Sequence, residues 1–184
     1  YTVIPFKGNY FVLNPKSKCK PKHLIYPVPD LNLPFLGIHS VTTIDNTIYF
    51  GPTAIPALGR ENYFGYRGVK FKEFFSIIRP ILEKFTSDPE FRAHSFNEIS
   101  LLRKKYFVQT IKKILPDIRL NDLQKSNKVG IRPQLYNKIS KKLEMDFIIE
   151  KNDRSFHILN SISPAFTSSL AIAKEVVKKI DYWL

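Results

Sequence analysis

The alternation of apolar and polar residues predicts strands at both ends of the chain and helices between them. Residues 1–13 read as a strand, and the same two-residue period returns in residues 35–41 and 47–51. The last two segments flank Asp45-Asn46, a pair suited to a tight hairpin turn. Together with a short extended run at residues 23–28, these segments are predicted to form one antiparallel sheet.

A helical period replaces the strand pattern in the middle of the chain. Apolar residues recur every three or four positions over residues 71–85, and Pro80 within this run predicts a kink or two shorter helices. A second helix is predicted from about Phe96 to Leu115, ended by Pro116. Aromatic stripes of this kind are typical of a packed core rather than of a cofactor site.

Three further strands are predicted near residues 132–136, 145–150 and 155–160, with Asn152-Asp153 turning the last pair. A final helix follows. This order of elements predicts an α+β fold, in which a mostly antiparallel, mixed sheet is covered by helices.

The final helix is predicted to begin near Ser163 and Pro164, which suit the N-cap and the first helical position. Its first turn contains Ala165 and Thr167 among other small residues. Free N–H groups and the positive end of a helix dipole would then form a cradle for an anion. An ordinary capped helix accounts for the same residues equally well.

Composition limits the classes of protein that this chain can represent. Its 184 residues, 43% of them hydrophobic, suffice for a packed core, and the single cysteine, Cys19, cannot form an internal disulfide. The four histidines are far apart, so no metal site is predicted. No apolar run approaches the roughly 18 residues of a membrane span, and the N-terminal residues of this sequence lack the charged, apolar and small-residue zones of a signal peptide. The sequence opens in mid-strand, from which we expect a fragment.

The net charge of +13 raises the question of an anionic partner. Lysines are spread over the polar faces of many segments instead of forming one patch, so we predict no nucleic-acid partner. A basic, non-catalytic binding module is the alternative that the charge leaves open. We expect a cytoplasmic location, and the charge also permits peripheral contact with the inner membrane.

Two short stretches favour ligand chemistry. Arg132 lies between Gly130 and Pro133, which restrict the backbone and direct a guanidinium whose paired donors match a carboxylate. A solvated arginine at a strand end is the alternative. The two-residue period places His39 on one strand face with Gly37, where the missing side chain leaves room for a ligand, although a structural histidine is equally consistent.

These stretches resemble the FAD-dependent D-amino-acid-oxidase-like superfamily, and within it the L-2-hydroxyglutarate dehydrogenase/oxidase family. The resemblance covers nearly the whole chain, with residues 70–110 similar only in helical pattern. It rests on the Gly-x-Arg-Pro stretch, the Ser-Pro-Ala-x-Thr stretch and the segments 23–30, 34–39, 51–54, 60–63 and 118–124.

The resemblance implies an oxidoreductase that transfers a hydride from a 2-hydroxy acid, L-2-hydroxyglutarate, to FAD; oxidation of an amino acid remains an alternative. Family members bind FAD through an N-terminal Gly-x-Gly-x-x-Gly segment, and none of the seven glycines here forms that motif. The chain alone is therefore not expected to bind FAD, and the missing half would be supplied in cis or as a separate chain. Residues 1–154 would form the substrate domain, and residues 155–184 would complete the FAD domain.

The resemblance also assigns roles to individual residues. Arg132 would hold the substrate carboxylate, and His39 would lie beside flavin and substrate as the second catalytic residue. Further substrate contacts would come from Lys7, Tyr10 and Thr53. Flavin contacts would come from Gly130, Ile131, Ser163, Pro164, Ala165 and Thr167.

The chain departs from the family pattern at several of these positions. Lys7 and Asn9 replace an arginine and a glutamate, Thr53 replaces an asparagine, and Phe166 replaces a small residue. A lysine cannot form the paired hydrogen bonds of an arginine, so these changes bear on substrate identity.

Overall fold

The computed structural model describes residues 1–28 and 37–181, which form an α+β arrangement of strands and helices. The strands are β1 (Thr2–Leu13), β2 (His39–Thr42), β3 (Ile48–Gly51), β4 (Ile55–Pro56), β5 (Leu123–Asn137), β6 (Lys142–Leu143), β7 (Ile148–Asn152) and β8 (Ser155–Asn160). The helices are α1 (Phe71–Ser87), α2 (Pro89–Ser100), α3 (Lys104–Ile111) and α4 (Ser169–Asp181). The α+β class predicted from the sequence is therefore confirmed.

The chain divides into two compact units, one of Val3–Pro133 and the other of Tyr1–Thr2 with the residues from Gln134 onward. Strand β5 contributes to both. The boundary predicted at residues 154/155 concerns the domains of a complete oxidoreductase and stays a prediction.

The first unit is built on a sheet in which β2, β3, β1 and β5 are neighbours in that order, and β4 also pairs with β1. The pairs β2–β3, β1–β3 and β1–β4 are antiparallel. The N–H of Asn14, after β1, donates to the carbonyl of Asp122, before β5, at 2.7 Å. Because the end of one strand meets the start of its neighbour, β1 and β5 also run antiparallel.

The predicted hairpin at Asp45-Asn46 is confirmed. Strands β2 and β3 pair from Thr42↔Ile48 to His39↔Gly51, and Asn46 in the turn has φ 60°. The predicted run at residues 23–28 is reduced to a single bridge between Ile25 and Ser40. Residues 35 and 36 of the predicted strand lie outside the described part of the chain.

Helix α3 covers the face of the sheet that carries Phe11 and Phe50. The rings of Phe11 and Phe107 lie 4.5 Å apart between centroids. Phe107 and Ile111 are fully buried in this core. The core consists of Phe11, Leu13, Ile38, Phe50, Leu101, Phe107, Val108, Ile111, Ile118 and Leu123.

The helices differ in part from the sequence prediction. Helix α1 continues through Pro80 as one helix, so the alternative of two shorter helices is wrong. Pro80 is buried with Ile77 and Ile81, and burial of this turn outweighs the loss of one backbone donor. The single helix predicted over residues 96–115 is wrong, because α2 ends at Ser100 and α3 begins at Lys104. Leu101, at the break, is buried in the core.

The second unit contains the antiparallel pair β7–β8 and helix α4. The two-residue turn consists of Asp153 and Arg154, one residue later than predicted, because Asn152 pairs with Ser155. Inside this unit, Asn160 donates to the carbonyls of Glu144 and Asp146 at 3.3 and 2.6 Å.

The predicted helix start at Ser163 is also wrong. Residues 163–168 form turns, and α4 begins at Ser169. The N–H of Ala165 donates to the carbonyl of Ile162 at 2.7 Å, and that of Ser168 to the carbonyl of Pro164 at 2.9 Å. These donors are used locally, so Ser163, Pro164, Ala165 and Thr167 do not form the predicted helix N-terminus.

Candidate functional site

Tyr10 and His39 lie on one face of the sheet, on either side of Gly51. His39 is directly opposite Gly51 in the β2–β3 pair, and Phe11 is opposite Phe50 in the β1–β3 pair. One residue further along the same register, Tyr10 is opposite Gly51. Directly opposed residues of antiparallel strands share a face, so the two side chains flank the glycine.

Gly51 is required at this position. Its φ is 150°, and an added Cβ would lie 2.6 Å from Cδ1 of Tyr10 and 2.8 Å from the carbonyl oxygen of Asn9. The missing side chain therefore gives the Tyr10 ring its place on the sheet. This close approach brings Tyr10 next to the strand that carries His39.

His39 is half-buried and held by two contacts. Its ring stacks on that of Tyr26, with centroids 4.4 Å apart and an angle of 19° between the planes. Its Nδ1 lies 3.1 Å from the carbonyl oxygen of Gly37. Because a carbonyl oxygen only accepts, Nδ1 carries the proton in this hydrogen bond, and neutral His39 has its lone pair on Nε2.

Burial lowers the pKa of His39, and the hydrogen bond to Gly37 opposes this change. The neutral imidazole is thus favoured, and it can accept a proton at Nε2. Gly37 lies outside β2 and has φ 31°, so it contacts the ring through its carbonyl instead of sharing a strand face with His39 as predicted.

Two tyrosines and a lysine continue this face toward β5. The rings of Tyr10 and Tyr49 meet edge to face with centroids 6.5 Å apart. Nζ of Lys128 lies 5.3 Å from the Tyr10 centroid and 4.4 Å from the Tyr49 centroid. Burial, and then the neighbouring Tyr26, raise the pKa of Tyr10, which keeps its hydroxyl protonated. We call Tyr10, Tyr26, His39, Tyr49 and Lys128 the aromatic face.

Arg132 lies on the same side of β5 as Lys128. Side chains alternate between the two faces of a strand, so Lys128, Gly130 and Arg132 share one face, and Ile131 belongs to the other. Arg132 is half-buried, and burial lowers the pKa of its guanidinium, which nevertheless stays protonated at neutral pH. A partly desolvated guanidinium binds a carboxylate more strongly than a solvated one.

Thr53 holds the chain that follows Gly51. Its Oγ1 accepts from the backbone N–H of Asn9 at 3.0 Å, and its own N–H donates to the Asn9 carbonyl at 3.1 Å. Thr53 is buried, with 3% of its surface exposed. These bonds attach the turn to β1 beside Tyr10.

Lys7 lies apart from Tyr10, because odd-numbered and even-numbered residues of β1 point to opposite faces. Its Nζ is 3.5 Å from Oδ1 of Asn62, and burial lowers its pKa. Asn62 is itself fully buried and donates to the carbonyls of Gly65 and Arg67 at 2.7 and 2.9 Å. The amine of Lys7 thus contacts the loop that Asn62 organises.

A buried carboxylate supports the same turn from helix α2. Oε2 of Glu98 accepts from the N–H of Ala54 at 2.6 Å, and Oε1 lies 3.9 Å from Nε2 of His94. Burial raises the pKa of Glu98, although Ala54 and His94 both oppose the change. Burial therefore destabilises the charged carboxylate by more than the contacts with Ala54 and His94 stabilise it.

We expect Glu98→Gln to increase the free energy of unfolding at pH 7.5 by on the order of 1 kcal/mol. The amide oxygen still accepts from Ala54, and no charge is buried. Since the folded-state pKa is raised, the contribution of Glu98 to stability is complete below its ordinary pKa of 4.5 and falls as pH rises through the folded-state pKa. Urea unfolding at pH 7.5 and at pH 4 measures the difference.

The increase in the free energy of unfolding caused by Glu98→Gln should be larger at pH 7.5 than at pH 4. The exposed residue Glu61 provides the control, and Glu61→Gln should change stability by less than about 0.5 kcal/mol at either pH. A Glu98→Gln protein that is less stable than the wild type at pH 7.5 would contradict the assignment.

Sequence reasoning missed Lys128, Tyr49, Tyr26 and Glu98. The signal for Lys128 was its alternation with Gly130 and Arg132, which was overlooked because β5 was predicted to begin near Arg132 instead of at Leu123. Tyr26, Tyr49 and Glu98 act through contacts with distant residues, which leave no local pattern.

Within the described residues, no group of three or more histidine, cysteine, aspartate or glutamate side chains could hold a metal ion. No described helix is both long and apolar enough to cross a membrane.

Comparison with known proteins identifies the family. A family model described as FAD dependent oxidoreductase (DAO) matches residues 1–179. The L-2-hydroxyglutarate dehydrogenase of Salmonella houtenae is 33% identical over 98% of this chain and 42% of its own length. The mitochondrial L-2-hydroxyglutarate dehydrogenase of Mus musculus is 33% identical over 96% of the chain and 39% of its own length.

The L-2-hydroxyglutarate dehydrogenase of Indibacter alkaliphilus is 35% identical over 95% of the chain and 43% of its own length. The chain thus spans about two fifths of the length of these curated relatives. Because the family model covers nearly every residue, the chain belongs to the DAO family of FAD-dependent oxidoreductases.

Proposed function

We propose that this chain forms the substrate-binding part of an FAD-dependent oxidoreductase that oxidises a 2-hydroxy acid, L-2-hydroxyglutarate. The observation that carries the proposal is the half-buried Arg132 on the strand face that it shares with Lys128, which in turn covers Tyr10 beside His39. One sheet face thus has a carboxylate-binding group on β5 and a proton acceptor on β2, with β1 and β3 between them, and that one substrate reaches both is part of the proposal. The names of the curated relatives support the choice of substrate.

The fit of FAD to the described residues differs between the two predicted contact regions. An added Cβ at Gly130 would meet nothing within 4 Å, so the backbone at Gly130 is open to a ligand on the face of Arg132. The turn at residues 163–167 fits less well, because the N–H of Ala165 is used locally. Ile131 lies on the other face of β5, and the roles of Gly130, Ile131, Ser163, Pro164, Ala165 and Thr167 as FAD contacts all stay predictions.

Arg132 binds the carboxylate next to the hydroxyl-bearing carbon. Its two parallel N–H donors fix both oxygens, which orients that carbon with respect to the aromatic face. His39 accepts the hydroxyl proton at Nε2, since Nδ1 already donates to Gly37. Bound FAD would supply the chemistry of hydride acceptance, for which Arg132 and His39 would orient and deprotonate the substrate.

The remaining predicted substrate contacts have different environments. Tyr10 provides a wall of the site and a protonated hydroxyl. Thr53 contributes through the turn that it holds, because it is buried against Asn9. Lys7 is directed at Asn62, so a role for Lys7 in substrate binding would require its amine to leave that contact.

Substrate-dependent reduction of bound flavin tests the proposal. The protein encoded by the complete reading frame that contains these residues is purified and mixed anaerobically with L-2-hydroxyglutarate. We expect the flavin absorbance to be bleached by the L enantiomer, and not by D-2-hydroxyglutarate or by L-glutamate. Bleaching by L-glutamate alone would support the amino-acid oxidase alternative, and bleaching by none of the three would overturn the proposal.

The family match argues against a basic, non-catalytic binding module. A cytoplasmic location, with or without peripheral contact with the inner membrane, stays a prediction. An N-terminal FAD-binding half, present in cis or as a separate chain, is likewise a prediction.

A further inference from the structure

We propose that Lys128 binds the second, distal carboxylate of the substrate and so selects dicarboxylates over monocarboxylates. The inference rests on the proposed function and extends it to a residue that neither the sequence motifs nor the family resemblance identified. Three features of the first unit carry it: the position of the ammonium group, the space beside Gly130, and the absence of another cation on this face of β1 and β5.

Lys128 is held in place without being neutralised. Its Nζ lies above two aromatic rings, those of Tyr49 at 4.4 Å and Tyr10 at 5.3 Å. Such rings attract a cation and restrict its side chain, but they carry no net negative charge. Among the residues that the structure describes, no carboxylate lies within 4.0 Å of this ammonium group. A bound anion can therefore serve as its counter-ion.

The space between Lys128 and Arg132 is open at Gly130. Both side chains are on one face of β5, and four residues of strand separate their Cα atoms by about 13 Å. The intervening residue on that face is Gly130, whose added Cβ would meet no atom within 4 Å. Two long cationic side chains thus flank a position that has no side chain of its own. A short diacid can place one carboxylate at each end.

A second cation is needed by a substrate with two carboxylates. Arg132 can pair with only one of them, and the other would lose its hydration without gaining a partner if no second cation were present. Lys7 is directed to the opposite face of β1, where its amine meets Asn62. Among the lysines and arginines of β1 and β5, Lys128 is the one that shares the face of Arg132, and it already contacts Tyr10.

The proposal predicts a change in substrate preference rather than a general loss of activity. L-2-hydroxyglutarate is compared with L-2-hydroxypentanoate, which has the same chain length and a methyl group in place of the distal carboxylate. Lys128→Met should lower kcat/KM for L-2-hydroxyglutarate by about 10- to 100-fold, mainly through KM, since it removes one charged hydrogen bond. The value for L-2-hydroxypentanoate should change by less than about 3-fold, because that substrate makes no such contact.

Two further variants test whether the charge and its position on β5 set the preference. Lys128→Arg should retain most of the preference, because it keeps the charge above the rings. Lys125→Met is the matched control: Lys125 is an exposed lysine on the opposite face of the same strand, and its removal should alter neither substrate. Lys128→Gln replaces Lys128→Met if the latter does not fold, as judged by its thermal unfolding midpoint.

Comparing the two substrates distinguishes a failure of the role of Lys128 from a failure of the proposed function. A wild-type enzyme that oxidises L-2-hydroxyglutarate, and whose Lys128→Met variant keeps the same ratio of kcat/KM for the two substrates, overturns the role of Lys128 alone. A wild-type protein that oxidises neither hydroxy acid overturns both proposals.

Discussion

Arg132→Ala is expected to lower kcat/KM for L-2-hydroxyglutarate by about 30-fold to several-thousand-fold, which corresponds to roughly 2–5 kcal/mol of transition-state binding. The loss is large because Arg132 is partly withdrawn from water, where its bond to a carboxylate is strong and cannot be replaced by solvent. Steady-state kinetics with the complete protein measure the effect. Arg132→Lys should recover only part of it, since a lysine keeps the charge and loses the paired donors.

The control for Arg132 is Arg154, which is exposed in the turn between β7 and β8. Arg154→Ala should cost less than about 1 kcal/mol, as exposed arginines usually do. The bound flavin and the thermal unfolding midpoint report whether Arg132→Ala still folds. A folded, flavin-loaded Arg132→Ala enzyme with unchanged kcat/KM would remove Arg132 from the site.

His39→Ala is expected to lower kcat/KM by about 10²- to 10⁴-fold and to change its dependence on pH. The base must be unprotonated, so wild-type kcat/KM should rise with pH and level off once His39 has lost its proton. Burial lowers the pKa of His39 from its ordinary value of 6.5, so this rise should occur on the acidic side of 6.5. His39→Ala should lose that limb of the profile.

The exposed residue His157 is the control for this histidine. Its Nε2 lies 2.8 Å from the hydroxyl of Ser155 on β8, and His157→Ala should keep both the rate and the pH profile. If the acidic limb persists unchanged in His39→Ala, another group is the base. A limb centred clearly above pH 6.5 in the wild type would contradict the effect assigned to burial.

The local sequence was sufficient to predict structure where a short segment determines its own backbone geometry. The Asp45-Asn46 turn was predicted because few residue pairs reverse a strand so tightly, and β2 and β3 pair around it as expected. Candidate residues His39 and Arg132 were chosen from neighbouring glycine and proline residues, but Gly37 does not share a strand face with His39, and the roles of both residues stay predictions.

Prediction of the start of α4 failed because several residues give the same local signal. Ser163, Thr167 and Ser168 can all cap a helix, and the sequence does not indicate which one is used. In the structure α4 begins at Ser169, after the turns of residues 163–168. The start of α2 shows the opposite case: Asp88 accepts from the N–H of Phe91 at 2.9 Å, and Pro89 occupies the first turn, a signal that was present and overlooked.

The extent of β5 depended on tertiary contacts. Residues 124–128 are polar and show no apolar alternation, so their own sequence gives no reason for a strand. They are extended because β1 lies beside them in the sheet, although the N–H of Lys128 donates to the hydroxyl of Ser126 at 2.9 Å. Lys128 belongs to the face of Arg132 because β5 begins at Leu123 and not near Arg132, where the sequence had placed its start.

The sequence by itself determined the α+β class, the hairpin and the family, because periodicity, turn residues and motifs are properties of neighbouring positions. The tertiary structure decided which residues meet across strands: Tyr10 with Gly51 and Lys128, and Tyr26 with His39. It also decided that Glu98 is buried beneath the Ala54 turn. Such contacts depend on strand register and helix placement, and a shift of one residue would turn every side chain of a strand to the other face.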